Sequence, residues 1–397
     1  QEQPWRNSLP VERARVLYKV ADLIEKNATE LAALQTRDNG KPLAETRGLV
    51  MSAASTARYT AACLETLDTE LTNARSREWL TMSVHEPLGV VAAITPWNSP
   101  IASEVQKLAP ALAAGNAVIL KPAEATSLIA LELARLFEEA GLPRGLLSVL
   151  PGKGSVVGNA IVQHPLVKKI SFTGGTSTGR QLAHTAAERL IGTSLELGGK
   201  SPTIVLADAD LDLAVNGVIY GIFSSSGQAC IAGARLFVHA SVYSDFMQRL
   251  VTKTHALRVG HPEDTRTQVG PLIDEKHLNS VDAYVRQAEA EGGQILTGGH
   301  RLSDGELAQG TYYAPTIIAG LNNHASVCQE EIFGPVLVVL PFDDEQDLLK
   351  QANDSVYGLA AGIWTENYRK AWQLARALDV GTVWINTYKK FSISTPF

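Results

Sequence analysis

The segment Val90-Val91-Ala92-Ala93-Ile94 is a short apolar run, and similar runs recur along the chain with amphipathic helical patterns between them. Gly115 and Gly141 stand at the ends of two of these helical patterns, where glycine supplies the left-handed conformation that stops a helix. Apolar strands that alternate with helices predict a parallel, doubly wound α/β sheet. The further runs of this first alternation lie at 117–120, 146–150 and 169–172.

Regions on both sides extend this pattern. Residues 11–36 predict one or two amphipathic helices, because their apolar positions recur at helical spacing. After Gly198 a second alternation begins, which predicts a second α/β domain with its boundary near Gly198 and Gly199. Residues 69–87 interrupt the first alternation and are predicted to form an arm. Strands of the second alternation are expected at 203–206, 236–238, 336–342, 361–364 and 383–386.

The composition is that of a globular enzyme. At 397 residues the chain exceeds the size at which single cores stop growing, and its 45% hydrophobic residues, 19% charged residues and net charge of -6 are ordinary values. The sequence contains neither a basic stripe for nucleic acid nor the run of roughly 18 apolar residues that a membrane span needs. We therefore expect a cytoplasmic protein that binds neither nucleic acid nor membrane.

The cysteines indicate chemistry rather than cross-linking. Cys63, Cys230 and Cys328 are widely spaced and form no Cys-x-x-Cys pair, so neither a disulfide scaffold nor a metal site is predicted. Cys230 lies between glycines at 227 and 233, downstream of Glu196. A thiol can bond to a carbonyl carbon, and a carboxylate can take protons from the thiol or from water. The pair predicts acyl chemistry through a thioester, although an isolated cysteine is more often a small buried apolar residue.

Segments that follow the predicted strands of the first domain carry candidate ligand contacts. The loop from Gly174 to Gly179 opens a helix, where backbone N–H groups attract a pyrophosphate, yet its Gly-x-x-x-x-Gly spacing fits a plain turn equally well. Lys121 and Glu124 lie at the carboxyl edge of the sheet, where they predict ribose contacts or a solvated loop. Asn98 offers an N–H₂ donor to an oxyanion, or forms a turn beside Pro96.

Six segments of the chain occur in an order typical of one known family. They are Thr95-Pro96-Trp97-Asn98, Lys121-Pro122-Ala123-Glu124, the loop from Gly174 to Gly179, Leu195-Glu196-Leu197-Gly198-Gly199-Lys200, Gly227-Gln228-Ala229-Cys230 and Glu330-Glu331-Ile332-Phe333-Gly334-Pro335. With them the chain resembles the aldehyde dehydrogenase superfamily over its whole length. The resemblance implies a Rossmann-like NAD-binding domain over 1–68 and 88–198, a bridging oligomerisation arm over 69–87, and an α/β catalytic domain over 199–397.

The resemblance also implies the catalytic residues. Cys230 would be the nucleophile, Glu196 the general base, and Asn98 together with the backbone N–H of Cys230 the oxyanion hole. Lys107 is expected in the same catalytic group. The Cys230 thiolate would attack an aldehyde, hydride transfer would leave a thioester, and water activated by Glu196 would release the carboxylic acid.

For the cofactor, the resemblance implies contacts from both domains. Lys121 and Glu124 would bind the adenosine ribose, and Gly174 and Gly175 the pyrophosphate. Many relatives carry a serine where this chain has Gly175, so one hydrogen bond is expected to be missing. Glu124 would repel a 2′-phosphate, which favours NAD and leaves NADP as the alternative. The other implied contacts are Glu331 and Phe333 at the nicotinamide ribose, with Gly154, Thr95, Pro96, Trp97 and Leu197.

The substrate tunnel is expected to be polar. Ser99 follows Asn98 where the family often has phenylalanine, and Ser103 and Gln106 occupy positions that are commonly apolar or aromatic. Lys389 and Lys390 would lie at its mouth or form an ordinary solvated face. These residues favour a polar or acidic aldehyde. The remaining pocket positions implied by the resemblance are Ile231, Phe391 and Phe397.

Alternatives differ in what receives the acyl group. A CoA-acylating or phosphorylating relative would use a thiol or phosphate, but such relatives often lack the base that Glu196 supplies. A thiol esterase would need no nicotinamide, and a catalytically silent structural or binding protein could share the fold. Relatives extend beyond Gln1 and Phe397, so we expect a piece of a longer protein that forms a homodimer or homotetramer when full length.

Overall fold

The computed structural model describes residues 5–73, 75–395 and 397, and the chain divides into two compact units. The first unit comprises Gln1–Asn39 and Thr46–Leu197, and the second comprises Gly40–Glu45 and Gly198–Phe397. The sequence prediction placed residues 40–45 in the first domain, whereas their contacts lie in the second unit. Leu43 N–H donates to the carbonyl of Pro262 at 2.9 Å, within that unit.

Helices α1 (Pro10–Lys26), α2 (Ala28–Asn39) and α3 (Leu43–Glu65) open the chain. The predicted helical region 11–36 is confirmed as α1 and α2. Helix α3 was not predicted, because four of its eight buried positions are alanines and its apolar pattern is correspondingly weak. Strands β1 (Leu71–Thr72) and β2 (Thr81–Met82) then form an exposed antiparallel ribbon within the predicted arm.

The first unit contains a five-stranded sheet with the order β5-β4-β3-β6-β7, in which every pair is parallel. The predicted doubly wound sheet is thereby confirmed. Gly115 and Gly141 have φ values of 85° and 100°, as expected after the helices that they end. The elements are β3 (Val90–Ile94), α4 (Pro100–Ala113), β4 (Ala117–Lys121), α5 (Ser127–Glu139), β5 (Leu147–Val149), α6 (Asn159–Gln163), β6 (Val167–Thr173), α7 (Thr176–Glu188) and β7 (Gly192–Glu196).

The strand order places a topological switch point in the first unit. The chain runs outward from β3 through β4 to β5 on one side, then returns to β6 and β7 on the other. In open α/β sheets ligands bind beyond the carboxyl ends of the strands at such a point. The segments that follow β3 and β6 are therefore the natural ligand site of this sheet.

The second unit contains a seven-stranded sheet with the order β10-β11-β12-β9-β8-β13-β14. All its pairs are parallel except β10 with β11, so the predicted second α/β domain is confirmed with an antiparallel edge strand added. The elements are β8 (Pro202–Val205), α8 (Leu211–Phe223), β9 (Arg235–His239), α9 (Ala240–His255), α10 (Glu275–Ala290), β10 (Gln294–Thr297), β11 (Thr316–Ala319), α11 (Ser326–Gln329), β12 (Val336–Phe342), α12 (Glu345–Asn353), β13 (Ala360–Trp364), α13 (Tyr368–Ala377) and β14 (Thr382–Ile385). Among the described residues, no helix is long and apolar enough to cross a membrane.

Arg235 at the start of β9 is a buried polar anchor of this sheet. Its guanidinium is 1% exposed and donates four hydrogen bonds of 2.8 to 3.1 Å. Acceptors of these bonds are the carbonyls of Lys200, Gln351 and Ala352 and Oδ1 of Asn323. The side chain thereby joins three separate segments of the second unit.

Replacement of Arg235 with methionine should destabilise the protein by at least about 3 kcal/mol, because it removes four buried hydrogen bonds at once. Chemical denaturation followed by tryptophan fluorescence would measure the loss. Arg144→Met is the matched control, since Arg144 is exposed and should tolerate the change. Equal stability of both variants would contradict the anchoring role of Arg235.

Candidate active site

Candidate ligand residues of the first unit gather at the carboxyl edge of its sheet. Thr95 to Asn98 follow β3, and Gly174 and Gly175 follow β6, which is paired with β3. Lys121 ends β4, and its carbonyl accepts a hydrogen bond of 3.1 Å from Thr95 N–H. Because these strands meet at the switch point, the structure brings together segments that are far apart in sequence.

The glycine loop between β6 and α7 is shaped for close approach of a ligand. Gly174 N–H donates to the carbonyl of Glu196 at 3.0 Å, and a Cβ atom there would lie 2.6 Å from the Phe172 ring. At Gly175, by contrast, a Cβ atom would meet nothing within 4 Å. The backbone at the N-terminus of α7 is therefore open at Gly175.

Lys121, Glu124 and Gly154 form the second part of this edge. Glu124 Oε1 accepts a hydrogen bond of 3.2 Å from Gly154 N–H, where a single π-type helical turn begins. Burial lowers the pKa of Lys121 and nearby Glu124 raises it, while Nζ donates to the Pro122 carbonyl at 2.8 Å. One ammonium and one carboxylate at a strand end are suitable partners for ribose hydroxyls.

Leu197 depends on a glycine in α7. A Cβ atom on Gly179 would lie 2.4 Å from Cδ2 of Leu197, so a larger residue there would require the Leu197 side chain to shift. The last glycine of the loop thus has a packing role, which the sequence did not assign.

Asn98 lies in a turn whose backbone is held by a more distant residue. Nδ2 of Asn39, at the end of α2, approaches the carbonyls of Trp97 and Asn98 at 3.4 Å each. Asn98 itself is half-buried. Asn39 therefore contacts the backbone of the turn that carries Asn98.

Polar residues of α4 share one face of that helix. Ser99, Ser103 and Lys107 follow one another at four-residue spacing, and the hydroxyls of Ser99 and Ser103 lie 3.0 Å apart. Ser103 is buried and Gln106 is exposed. Lys107 Nζ donates to the hydroxyl of Ser171 on β6 at 3.2 Å, a contact that sequence reasoning missed.

Lys107 and Glu196 influence each other's ionisation. Burial raises the pKa of Glu196, and the charge of Lys107 lowers it again. Burial likewise lowers the pKa of Lys107 to about 8, against an opposing effect of Glu196. Glu196 therefore has the property expected of a general base, a carboxylate whose pKa lies above its ordinary value.

Cys230 in the second unit follows a strained turn. Ser225, Ser226 and Gly227 have φ values of 60°, 53° and 72°, all left-handed. A Cβ atom on Gly227 would lie 1.9 Å from the carbonyl oxygen of Gly334, so no other residue fits there. This turn fixes where the chain places Cys230.

Two consecutive glycines, Gly198 and Gly199, lie close to Glu331 and to the Cys230 turn. A Cβ atom on Gly199 would lie 2.4 Å from the carbonyl oxygen of Cys230. One on Gly198 would lie 2.2 Å from Glu331 Oε2, while Oε1 accepts a hydrogen bond of 3.1 Å from Gly199 N–H. Burial raises the pKa of Glu331, whereas the Gly199 N–H and the charge of Lys200 lower it.

Phe333 takes a left-handed conformation next to Glu331. Its φ is 59°, its carbonyl accepts a hydrogen bond of 2.8 Å from Nε2 of His277, and the two rings meet edge-on at 6.2 Å. No pattern in the sequence pointed to His277, which lies on α10. The loop with the two predicted nicotinamide-ribose contacts is thus held rigidly.

Predicted pocket residues at the C-terminal end form an aromatic group. Tyr388 donates to the carbonyl of Ile231 at 3.0 Å, and Trp384 packs against Tyr388 with ring centroids 4.8 Å apart. Phe391 meets Trp384 and Phe397 edge-on at 5.3 Å each. Phe391 and Phe397 are half-exposed, so they present apolar surface to solvent.

Comparisons with known proteins identify the family. The sequence model of the aldehyde dehydrogenase family matches residues 1–397. The chain belongs to the aldehyde dehydrogenase family.

Several solved aldehyde dehydrogenases share the fold closely. An NAD+ complex of aldehyde dehydrogenase from Bacillus cereus is 40% identical with a TM-score of 0.97, and the match covers 100% of this chain and 80% of that one. A putative aldehyde dehydrogenase from Burkholderia cenocepacia is 40% identical, with a TM-score of 0.96 and coverage of 98% and 79%. The aldehyde dehydrogenase KauB from Pseudomonas aeruginosa is 41% identical, with a TM-score of 0.96 and coverage of 99% and 79%.

In this aldehyde dehydrogenase the Cys230 turn has a support that the sequence did not reveal. Glu45 accepts hydrogen bonds from Ser225 N–H at 2.9 Å and from the Ser225 hydroxyl at 2.7 Å. Lys41 Nζ lies 3.9 Å from the same carboxylate. Glu45, in the first turn of α3, thereby holds the turn that leads to the candidate nucleophile.

The Lys107→Met variant should shift the pH dependence of turnover. Removal of the ammonium raises the pKa of Glu196 further, and the base works only when ionised, so the rise of kcat with pH should move about one pH unit upward. Steady-state kinetics between pH 5 and 9 would measure the shift. Lys168→Met, at an exposed position of the same unit, should leave the profile in place; an unshifted profile in Lys107→Met would contradict the coupling.

Proposed function

We propose that the enzyme oxidises an aldehyde to a carboxylic acid with NAD as hydride acceptor, through covalent chemistry on Cys230 and hydrolysis assisted by Glu196. The observation that carries this proposal is the pair of specialised environments within the two units. Cys230 follows a strained, tightly packed turn, and Glu196 is a partly buried carboxylate whose pKa is raised. Membership of the aldehyde dehydrogenase family supplies the reaction class.

Contacts to NAD are proposed for residues of each unit. The space at Gly175 and the N-terminus of α7 suit a pyrophosphate, and Lys121 with Glu124 suits the adenosine ribose. Glu331, which accepts a hydrogen bond from Gly199 N–H, would hold the nicotinamide ribose together with Phe333. When bound, NAD supplies the acceptor for the hydride that leaves the substrate carbon.

Among nicotinamide cofactors, NAD is favoured over NADP. Glu124 is a carboxylate at the position proposed for the ribose, and a 2′-phosphate there would meet like charge. A structure that covers all of this chain at 40% identity is an NAD+ complex. NADP remains the alternative acceptor.

Cys230 begins the reaction. Its thiolate attacks the aldehyde carbon, and the carbonyl oxygen becomes an oxyanion in the hemithioacetal. Asn98 Nδ2 and the backbone N–H of Cys230 are the proposed donors to this oxyanion, because fixed donors stabilise charge that develops in the transition state. After loss of hydride the acyl group stays on Cys230 as a thioester.

Glu196 completes the reaction. A carboxylate of raised pKa takes a proton from water more effectively than one at the ordinary value, and the hydroxide attacks the thioester carbon. The carbon–sulfur bond breaks, and the Cys230 thiolate and the carboxylic acid are released. The charge of Lys107 opposes the effect of burial on the pKa of Glu196 and so favours the ionised form.

The alternative functions account for fewer of the candidate site residues than hydrolytic aldehyde oxidation does. Transfer of the acyl group to CoA or phosphate would not require the base that Glu196 provides. A thiol esterase would not require Glu331, Lys121 and the open glycine loop, and a silent structural protein would require none of these residues. Hydrolytic aldehyde oxidation uses all of them.

We propose a polar or acidic aldehyde as substrate. Ser99, Ser103 and Gln106 share the face of α4 that also carries Lys107, and apolar or aromatic side chains are absent from these positions. A chain of hydroxyls accommodates a substrate that carries polar groups better than a fatty one.

The assembly and location of the protein are also proposals. The exposed ribbon of β1 and β2 and the apolar side chains Trp79, Leu80 and Met82, each more than half exposed, suit a subunit interface. We expect a homodimer or homotetramer of the full-length enzyme, and a cytoplasmic location.

Asn98→Ala should retain the fold and lose about 10² to 10³ in kcat, because one oxyanion donor is removed. Cys230→Ala should abolish turnover. Absorbance at 340 nm, which reports formation of NADH or NADPH, would measure the activity of both variants. The assay uses full-length enzyme, NAD or NADP, and a panel of aliphatic, aromatic, aminated and carboxylated aldehydes.

The same assay separates the rivals. Activity that appears only with added CoA or phosphate would contradict hydrolytic oxidation, and full activity of Cys230→Ala would contradict covalent chemistry on that residue. Ser55→Ala, at an exposed position of α3, serves as the control for handling and expression.

A further inference from the structure

Lys389 occupies an unusual position in the second unit. Its φ is 55°, a left-handed conformation that a lysine adopts only at a cost of about 1 to 3 kcal/mol. Nζ donates to the hydroxyl of Ser224 at 2.8 Å and lies 5.8 Å from the centroid of the Tyr220 ring. The strained backbone therefore directs the ammonium to the residue at which the Cys230 turn begins.

The charge of Lys389 is not neutralised by the acidic residue of the same cluster. Glu45 accepts two hydrogen bonds from Ser225 and lies within ion-pair distance of Lys41. In the described ranges, no carboxylate is within ion-pair distance of Lys389. Of the two lysines beside Glu45, Lys41 is therefore the one paired with its carboxylate, and Lys389 has no carboxylate partner.

The ionisation of Lys389 depends on its burial and on nearby charges, that of Cys230 among them. The pKa of Lys389 is lowered to about 8, chiefly by burial; the charge of Glu45 raises it, that of Lys41 lowers it, and that of a Cys230 thiolate raises it. The group is thus mostly protonated at neutral pH while it is poorly hydrated. A poorly hydrated ammonium gains more from an arriving anion than a fully solvated one does.

We propose that Lys389 binds a carboxylate at the end of the substrate opposite the aldehyde, so that the substrate class is an aliphatic oxo acid. This inference rests on the proposed aldehyde oxidation. The Ser224 hydroxyl orients the ammonium, and the carboxylate completes its hydrogen bonds. A lysine is a point charge, so it selects for a negative group more than for a particular planar shape.

Lys390 provides the natural comparison. It is the next residue in sequence, its side chain is exposed, and its backbone carbonyl accepts a hydrogen bond of 2.8 Å from the Trp384 indole. Substitution of its side chain leaves that hydrogen bond intact. Of the two adjacent lysines, only Lys389 is directed to the Cys230 turn.

Matched substrates and variants test the proposal. The substrates are 5-oxopentanoate and pentanal, which differ chiefly in the terminal carboxylate, and the enzymes are wild type, Lys389→Met and Lys390→Met. Wild type and Lys390→Met should prefer 5-oxopentanoate by about ten- to a hundredfold in kcat/KM. Lys389→Met should lose this preference and oxidise pentanal at nearly the wild-type rate.

A second measurement does not depend on turnover. Glutarate, which carries two carboxylates and no aldehyde, should raise the melting temperature of wild type and Lys390→Met but not that of Lys389→Met. Glutaramide, its uncharged counterpart, should leave all three unchanged. Failure to oxidise either aldehyde would count against the proposed function, whereas the glutarate result would still decide the anion site.

Other outcomes would overturn the proposal. A wild-type enzyme with no preference for the carboxylate, or no response to glutarate, would show that Lys389 does not recognise an anion. An equal loss of kcat/KM for both aldehydes in Lys389→Met would assign the lysine to the thiol or to the fold. Iodoacetamide alkylation of Cys230 against pH would reveal such a change in the thiol.

The preference should also depend on pH. The preference for 5-oxopentanoate over pentanal in kcat/KM requires the protonated ammonium of Lys389. This preference should therefore persist below pH 8 and fall as the pH rises above about 8. Cys230, Lys41, Glu45 and Tyr220 are the other titratable groups that face Lys389, and their effects on the chemical step cancel in the ratio of the two substrates. A ratio that stays constant to pH 10 would contradict the role of Lys389.

Discussion

The left-handed turn before Cys230 is the constraint on which the second unit is organised. Ser225 and Ser226 each cost about 1 to 3 kcal/mol in this conformation, and Gly227 is forced by the carbonyl of Gly334. The two hydrogen bonds from Ser225 to Glu45 contribute about 1.5 to 3 kcal/mol each, because their acceptor is charged. Strain and compensation are of similar size, so the turn is stable only with its support present.

Buried charge has a corresponding role in the first unit. Glu196 would be protonated too readily if burial acted alone, and Lys107 would lose its proton too readily for the same reason. Each charge offsets part of the desolvation of the other. The result is a base that is stronger than an exposed carboxylate and still ionised, which hydrolysis of a thioester requires.

The sequence predicted those features that depend on local pattern. Apolar runs and helix-ending glycines predicted both α/β sheets but not their strands β7, β10 and β11. The motif around Cys230 indicated the reaction class. Pairings between distant segments could not be predicted, because nothing in the residues around Glu45 or Ser171 indicates their partners. The directions of side chains could not be predicted from the sequence either. Lys389 and Lys390 are adjacent lysines, and the left-handed backbone of Lys389 distinguishes them.

The central claim is that Cys230 carries the acyl group and that Glu196 is needed to remove it. Rapid mixing of Glu196→Gln enzyme with NAD and an aldehyde that the wild type oxidises would test this directly, with mass spectrometry of the quenched protein. The account predicts a burst of about one NADH per subunit, little further turnover, and an acyl adduct on the peptide that contains Cys230. Continuous turnover at the wild-type rate, or a burst without an adduct on Cys230, would contradict it.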